Sequence, residues 1–409
     1  MKSLPIYLDY AATTPCSHSV LDAMLPYFTE FYGNPHSLHA FGFNALKALT
    51  KARDEVAGLI KADPEEIVFT SGSTESSKIA IERAAIFLSA TGRKKFITTE
   101  SEHKSVLDCA DSLKSRGIDV SYLKVKNDGL VDFEHLDSIL DASVGLLSIC
   151  MINNETGVRQ DIKRIVELCR MNGVLLHADA TQAFGKISLD VRDLGIDFLS
   201  ASAHKVYGPK GVGILFFKKT NKKLLRIPMA NRDVESGIRA GTVPVTLCVG
   251  MGKAAEIAGS EMGNDLARIS KLKTLLIKSL SHSLDEIYIN GSVESNYPGI
   301  VNISFRGCEG EALMMECKRI AVSSGSACTS NRLSISHVLN GMGIPPDIAQ
   351  SSIRISIGKP TTESDILIAI EDLIAATTKL RQMSPIWDMI KAGMDIGSIF
   401  EGKHCDYAV

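Results

Sequence analysis

Lys205 stands in SASAHKVYGPKGVG, residues 200–213, with Ser202 and His204 close beside it. A lysine amine in such a setting can condense with an aldehyde, and a neighbouring serine and histidine can hold a phosphate. Asp179 stands in ADATQAFGK, residues 178–186, just past an apolar run. An aspartate there can simply cap a helix, or it can keep a pyridine nitrogen protonated so that the ring withdraws electrons from a substrate carbanion. SGSTES, residues 71–76, puts Ser73 and Thr74 at the start of a helical stretch, where backbone N–H groups and hydroxyls converge on phosphate. Taken singly, each stretch is ordinary: glycine and serine before a helix are turn and cap residues, and a lone lysine is usually a solvated charge. Three such stretches at successive strand ends form a pattern. The glycine-rich run lacks the GxxxxGK[ST] spacing, and no GxGxxG opens a strand-helix-strand unit, so nucleotide and dinucleotide readings lack their diagnostic parts.

A fourth stretch, VSSGSACTS at residues 322–330, surrounds Cys328 with small residues. They offer little steric protection and much backbone freedom, which is odd for a cysteine packed in a core. A thiol that must reach a substrate, take up an atom and pass it on needs a mobile loop and thiolate character. The other cysteines, nine in all with Cys328, are scattered without repeated CxxC spacing. That argues against a disulfide framework and a thiolate metal site, so no metal is expected, and it suits a reducing compartment.

The elements that must position these residues alternate strand and helix. Helical spacing of apolar residues runs over 45–60, and a turn then leads to a strand over 67–70. Further strands are predicted over 94–100, 120–125, 145–150, 173–180, 198–205 and 211–219, with helices between them. This is the pattern of a mostly parallel sheet, whose ligands sit beyond the carboxyl ends of the strands. After about residue 255 the texture changes. A long amphipathic stretch over 266–280 joins short strands over 300–305 and 353–357, which predicts a smaller α+β domain with an antiparallel or mixed sheet. The tail over 384–400 carries the only tryptophan, Trp387, and reads either as a helix packed back on the core or as an exposed docking surface.

At 409 residues and 45% hydrophobic content, the chain can bury a large core and a smaller one. The 45 Lys and Arg against 47 Asp and Glu give a formal charge of −2, so no global field argues for nucleic acid or an anionic membrane. The N-terminus lacks a leader pattern and no run of 18 apolar residues occurs, so a cytoplasmic protein with a small-molecule substrate is expected.

The motifs LDYAATTP, YGNPHSLH, TSGSTES, EHKSVLD, NNETG, HADATQAFGK, SAHKVYGPKG, RAGT, SSGSACTS and SSIRISIG together make the chain resemble the cysteine desulfurases of the aminotransferase class V group, which are fold-type I enzymes of pyridoxal 5'-phosphate. The resemblance runs from residue 8 to residue 399. It implies an α/β fold: a large cofactor-binding domain over 15–257 with a mostly parallel seven-stranded sheet, and a smaller α+β domain over 258–409 joined by residues 1–14. It implies that Lys205 carries the cofactor, that His103 stacks on its ring, that Asp179 meets the pyridine nitrogen and that Gln182 donates near the phenolic oxygen. Thr74, Ser202 and His204 match phosphate ligands, and Thr242 matches a residue reaching the neighbouring subunit's phosphate, so a homodimer follows. Arg354, with Asn154 nearby, matches a clamp for the substrate carboxylate, and Asn34 lies in the substrate-side segment. Asn154 also borders the cofactor. Cys328 is then the sulfur carrier: L-cysteine becomes L-alanine, a persulfide forms on Cys328, and sulfur passes to an iron-sulfur scaffold protein docked on the C-terminal tail, or to other acceptors.

One segment departs from the family. Where relatives carry histidines and several glycines before the arginine-glycine-threonine ending, this chain has Ala230, Asn231, Arg232, Asp233 and Val234. Two other readings stay open at this point: a selenocysteine lyase or related β-lyase, and a cofactor-binding assembly subunit without activity of its own.

Overall fold

The computed structural model describes residues 4–225, 235–324 and 335–394. Cys328, residues 230–234 and the end of the C-terminal tail lie outside the described residues.

Seven strands form the large sheet: β2 (Ile67–Thr70), β3 (Lys95–Thr99), β4 (Asp119–Leu123), β5 (Val144–Cys150), β6 (Leu175–Asp179), β7 (Phe198–Ser202) and β8 (Gly213–Phe217). Their order is β2-β8-β7-β6-β5-β3-β4. All neighbours are parallel except β8, which runs antiparallel to β2 and β7. The carboxyl ends of β2, β3, β5, β6 and β7 therefore open on one edge, where every strand-end stretch of the sequence argument arrives. The strands are apolar on both faces because helices cover both. Gly213 pairs with Thr70 on one side and Ser202 on the other. A Cβ there would stand 2.5 Å from the Ala201 carbonyl oxygen and 2.6 Å from Gly72 Cα, so only glycine lets the Gly72 turn close against β7.

The second core is built on β9 (Ile287–Asn290), β10 (Ile300–Phe305) and β12 (Ser352–Ser356), antiparallel in the order β12-β10-β9. β1 (Ile6–Tyr7) pairs in parallel with β11 (Ile320–Ala321), and Leu8 lies in the same apolar cluster as the small sheet. A single helix, Val245–Ser283, spans both units. Its residues up to Ala258 pack in the large core and those from Ile269 in the small one, so the expected boundary at 257/258 falls inside this helix.

A polar ladder crosses the large sheet. Ser148 on β5 bonds His177 Nδ1 on β6 at 2.8 Å, His177 Nε2 meets Ser200 Oγ on β7 at 3.1 Å, and Ser200 meets Ser77 Oγ at 2.8 Å. Ser77 belongs to the helix Ser73–Ala90, so the ladder pins that helix to the sheet. Burial lowers the His177 pKa from 6.5 to about 4. Between those values the unfolded chain binds a proton that the native chain does not, so this stability is complete above 6.5 and lost as pH falls toward 4. The expected loss is about 3 kcal/mol at ~1.4 kcal/mol per pH unit. Urea unfolding from pH 7 to 4 should show that slope, flattened by about this amount in His177→Gln. Equal slopes in the two proteins would refute the assignment.

Candidate active site

Lys205 follows β7 directly, in the 3-10 turn Ala203–Lys205. Its Nζ donates to the carbonyl oxygens of Ala11 at 2.7 Å and Ala12 at 2.8 Å. Gln182 Nε2 donates to the same Ala11 oxygen at 2.9 Å, which fixes the orientation of the amide because a carbonyl cannot donate. Gln182 Oε1 accepts from Lys186 Nζ at 2.6 Å. Burial, with the charges of Lys205 and Arg354 adding, lowers the Lys186 pKa to about 7. The N-terminal segment is thus part of the site. Sequence reasoning gave Ala11, Ala12 and Lys186 no role although all three stand within quoted motifs, because backbone carbonyls and the closing lysine of a motif carry no signal of their own.

Asp179 ends β6, is buried, and accepts at Oδ1 from Thr181 N–H at 2.8 Å and from the Thr181 hydroxyl. His103 caps the helix Lys104–Ser115, with Nδ1 accepting from Ser105 N–H at 3.1 Å and 2.8 Å from its hydroxyl. Burial holds its pKa below the ordinary value, and the opposing field of Asp179 only partly offsets this. The neighbouring Glu102 is fully buried and accepts from Cys150 N–H at 2.6 Å. Its backbone oxygen lies 2.9 Å from His337 Nε2, so the stretch before His103 is held from two sides. Burial, and then the charge of Asp179, push the Glu102 pKa well up.

Ser202, ending β7, is buried, and Ser73 and Thr74 open the helix Ser73–Ala90 after Gly72, whose Cβ position would lie 3.7 Å from Ser202 Oγ. His204 Nδ1 meets Thr13 Oγ1 at 3.1 Å, and burial, then Lys205, lower its pKa to about 4. The helix N-terminus at Gly72 thus lies against Ser202, while the His204 imidazole is held at Thr13.

Arg354 is buried on β12 and donates through Nη1 to the Asn154 carbonyl at 3.0 Å and through Nη2 to Asp9 Oδ1 at 2.8 Å. Asn154 meets it through its backbone. Ser323 pairs with the Arg354 backbone, N–H to O at 3.2 Å and 2.6 Å in return, so the chain entering the Cys328 stretch starts from the strand position of this arginine. Asn34 is exposed, its side-chain Oδ1 accepting from His36 N–H at 3.0 Å and its carbonyl oxygen from Ser37 N–H at 3.0 Å. Thr242 is also exposed, ahead of the helix Val245–Ser283. Glu235, which follows the undescribed 226–234 stretch, is buried, with 2.7 Å contacts to Arg53 and to the Phe69 N–H at the open edge of β2. Trp387 packs on its own chain, with the Arg381 guanidinium 3.9 Å from its ring centroid.

The family described as aminotransferase class-V matches residues 6–368. A human cysteine desulfurase is 46% identical over 401 residues, covering 98% of this chain and 88% of that protein. The cysteine desulfurase IscS of Neisseria meningitidis serogroup C (strain 053442) is 46% identical over 401 residues, covering 98% and 99%. Among solved structures, a NifS-like protein superposes with a TM-score of 0.85 at 33% identity, covering 92% of this chain and 100% of that one. SspA in complex with cysteine superposes with a TM-score of 0.76 at 32% identity, covering 86% and 98%. With the fold, the strand-end residues and these likenesses in agreement, the chain belongs to the aminotransferase class-V family, within its cysteine desulfurases.

Proposed function

We propose that this chain converts L-cysteine to L-alanine and takes the sulfur onto Cys328 as a persulfide. The observation that carries the reading is the convergence of Lys205, Gln182, His103 and Asp179 beyond the strand ends, next to a buried arginine reached by the root of the Cys328 stretch.

Pyridoxal 5'-phosphate fits the donor set. The helix start at Ser73 and Thr74, with Ser202 and His204, would hold its phosphate; Asp179 would face the pyridine nitrogen; Gln182 has a second amide hydrogen beyond the one given to Ala11; and Lys205 would bind the aldehyde. When bound, this cofactor supplies the electron sink that loosens the α-proton and the carbon-sulfur bond of the substrate. The protein supplies the rest. Arg354 receives the substrate carboxylate, two-pronged, and with Asn34 and Asn154 fixes the orientation. Lys205 takes the α-proton, and His103, kept neutral by burial, takes or returns a proton. The Cys328 thiolate then attacks the substrate sulfur. A sulfur-sulfur bond forms, the bond from sulfur to the β-carbon breaks, and the carbon fragment keeps that electron pair and is protonated to alanine.

A homodimer is part of the reading. Phe28, Tyr32, Leu38, Phe41 and Phe43 are exposed at 57%, 66%, 91%, 49% and 55%, an apolar face that a second copy would cover, with Thr242 completing the neighbouring phosphate site. Sulfur delivery to an iron-sulfur scaffold protein is assigned to the C-terminal region, where the helix Pro385–Lys391 has no buried residue and Met383 and Met394 are exposed. No helix among the described residues is long and apolar enough to cross a membrane.

The test is alanine release from L-cysteine with one sulfur bound per alanine, run beside L-selenocysteine. A protein that binds the cofactor yet makes no alanine, even with a scaffold protein present, would overturn the reading in favour of the inactive assembly subunit. A strong preference for selenocysteine would favour the lyase. Arg354→Lys keeps the charge and loses the two-pronged geometry, so KM for cysteine should rise about tenfold or more. Unchanged KM and kcat would remove the clamp.

A further inference from the structure

The guanidinium assigned to the substrate carboxylate already holds a carboxylate of its own. Arg354 is 5% exposed in its side chain, and Asp9, 20% exposed, meets it at 2.8 Å through a single oxygen on Nη2. The guanidinium Nε is buried and has no partner among the described residues. We infer that Asp9 is the internal stand-in for the substrate carboxylate: it neutralises Arg354 in the substrate-free protein and yields Nη2 when L-cysteine arrives. This rests on Arg354 being the clamp.

The physical case has three parts. A buried arginine stays charged, and a buried charge without a counter-charge is strongly destabilising, so Arg354 needs a carboxylate before substrate enters. Asp9 meets that need incompletely. One oxygen on one nitrogen leaves Nε unsatisfied, whereas a carboxylate spanning two nitrogens makes the stronger paired arrangement. Two carboxylates on one buried guanidinium would leave an uncompensated negative charge, so the arriving carboxylate displaces the resident one. Asp9 is the more exposed partner and is the one that can turn toward water.

The backbone around Asp9 is held without its side chain. Ser356 N–H donates to the Leu8 oxygen at 2.7 Å, Leu8 N–H to the Ala321 oxygen at 2.9 Å, Ala11 N–H to Ser356 Oγ at 2.9 Å, and Tyr7 Oη to the Asp9 oxygen at 3.0 Å. The side chain can let go of Arg354 while the segment stays in place. The same segment presents Ala11 and Ala12 to Lys205 and lies beside β11, which leads into the Cys328 stretch. Asp9 is a positioning residue that competes with substrate.

The test compares Asp9→Asn, Asp9→Ser and Arg354→Lys in the cofactor-loaded full chain, with circular dichroism and thermal midpoints to establish folding. Both Asp9 variants should lower KM for L-cysteine and the inhibition constant of L-alanine together, by about threefold to tenfold, without raising kcat. A merely structural role would raise KM or lower kcat alone. If Arg354→Lys weakens both ligands while neither Asp9 variant tightens them, the stand-in role is overturned and the clamp survives. If Arg354→Lys changes neither ligand, the clamp fails and the stand-in role falls with it.

Discussion

Replacing Cys328 by Ser is expected to lower alanine formation from L-cysteine by about a thousandfold or more, while the folded protein still binds its cofactor. Serine nearly preserves size, but its hydroxyl is a poor nucleophile near neutral pH and cannot form a persulfide. Among the described residues, the other cysteines make weak substitutes. Cys109, Cys169, Cys248, Cys308 and Cys317 are buried, and burial pushes the thiols of Cys109, Cys169 and Cys317 up to about 12, far from the thiolate that attack requires. Cys150, whose Sγ lies 2.9 Å from the Ile152 carbonyl oxygen, has its pKa pushed well up by burial and by the charges of Glu102 and Asp179. Cys16 is exposed, so Cys16→Ser is the natural control and should turn over as the parent does. After a short reaction with sulfur-labelled cysteine, mass spectrometry should find the added sulfur on the peptide containing Cys328. A folded Cys328→Ser protein working at the parent rate, with that peptide unlabelled in the parent, would end the sulfur-carrier assignment.

Lys205→Ala should abolish covalent cofactor attachment and reduce turnover by a similar factor, about a thousandfold or more. Noncovalent binding should persist, since the proposed phosphate ligands Ser73, Thr74, Ser202 and His204 are untouched. Borohydride reduction of the loaded protein followed by peptide mapping gives the direct readout. The structure makes this a demanding test, because a second lysine of unusual chemistry stands close by. Lys186 has a pKa lowered to about 7 and bonds Gln182 at 2.6 Å, so it too is a nucleophilic amine near neutral pH. Cofactor trapped on Lys186 would reverse the assignment. Cofactor on Lys205 alone would leave Lys186 as the group that braces Gln182.

What the sequence determined by itself is what local physics encodes. Short apolar runs bounded by turns became strands, 67–70 and 300–305 to the residue, because a run buried on both faces has few other solutions. Parallel strands open their carboxyl ends on one edge, so Asp179, Ser202, His204 and Lys205 could be grouped from their positions alone. Helix extent was less legible. The helix Val245–Ser283 contains Gly250, Gly252, Gly259 and Gly263, residues that weaken a helix locally. It survives because packing rewards the small residue: a Cβ at Gly252 would stand 2.6 Å from Ala52 Cα in the helix Ala40–Ile60. Only the tertiary structure decided the partners far apart along the chain. Asp9 and Arg354 are 345 residues apart, Ala11 and Lys205 194, and Arg53 and Glu235 182. No periodicity or propensity records such pairings, since both describe a residue's immediate neighbours. A buried charge selects its partner from whatever the completed fold brings within hydrogen-bond reach.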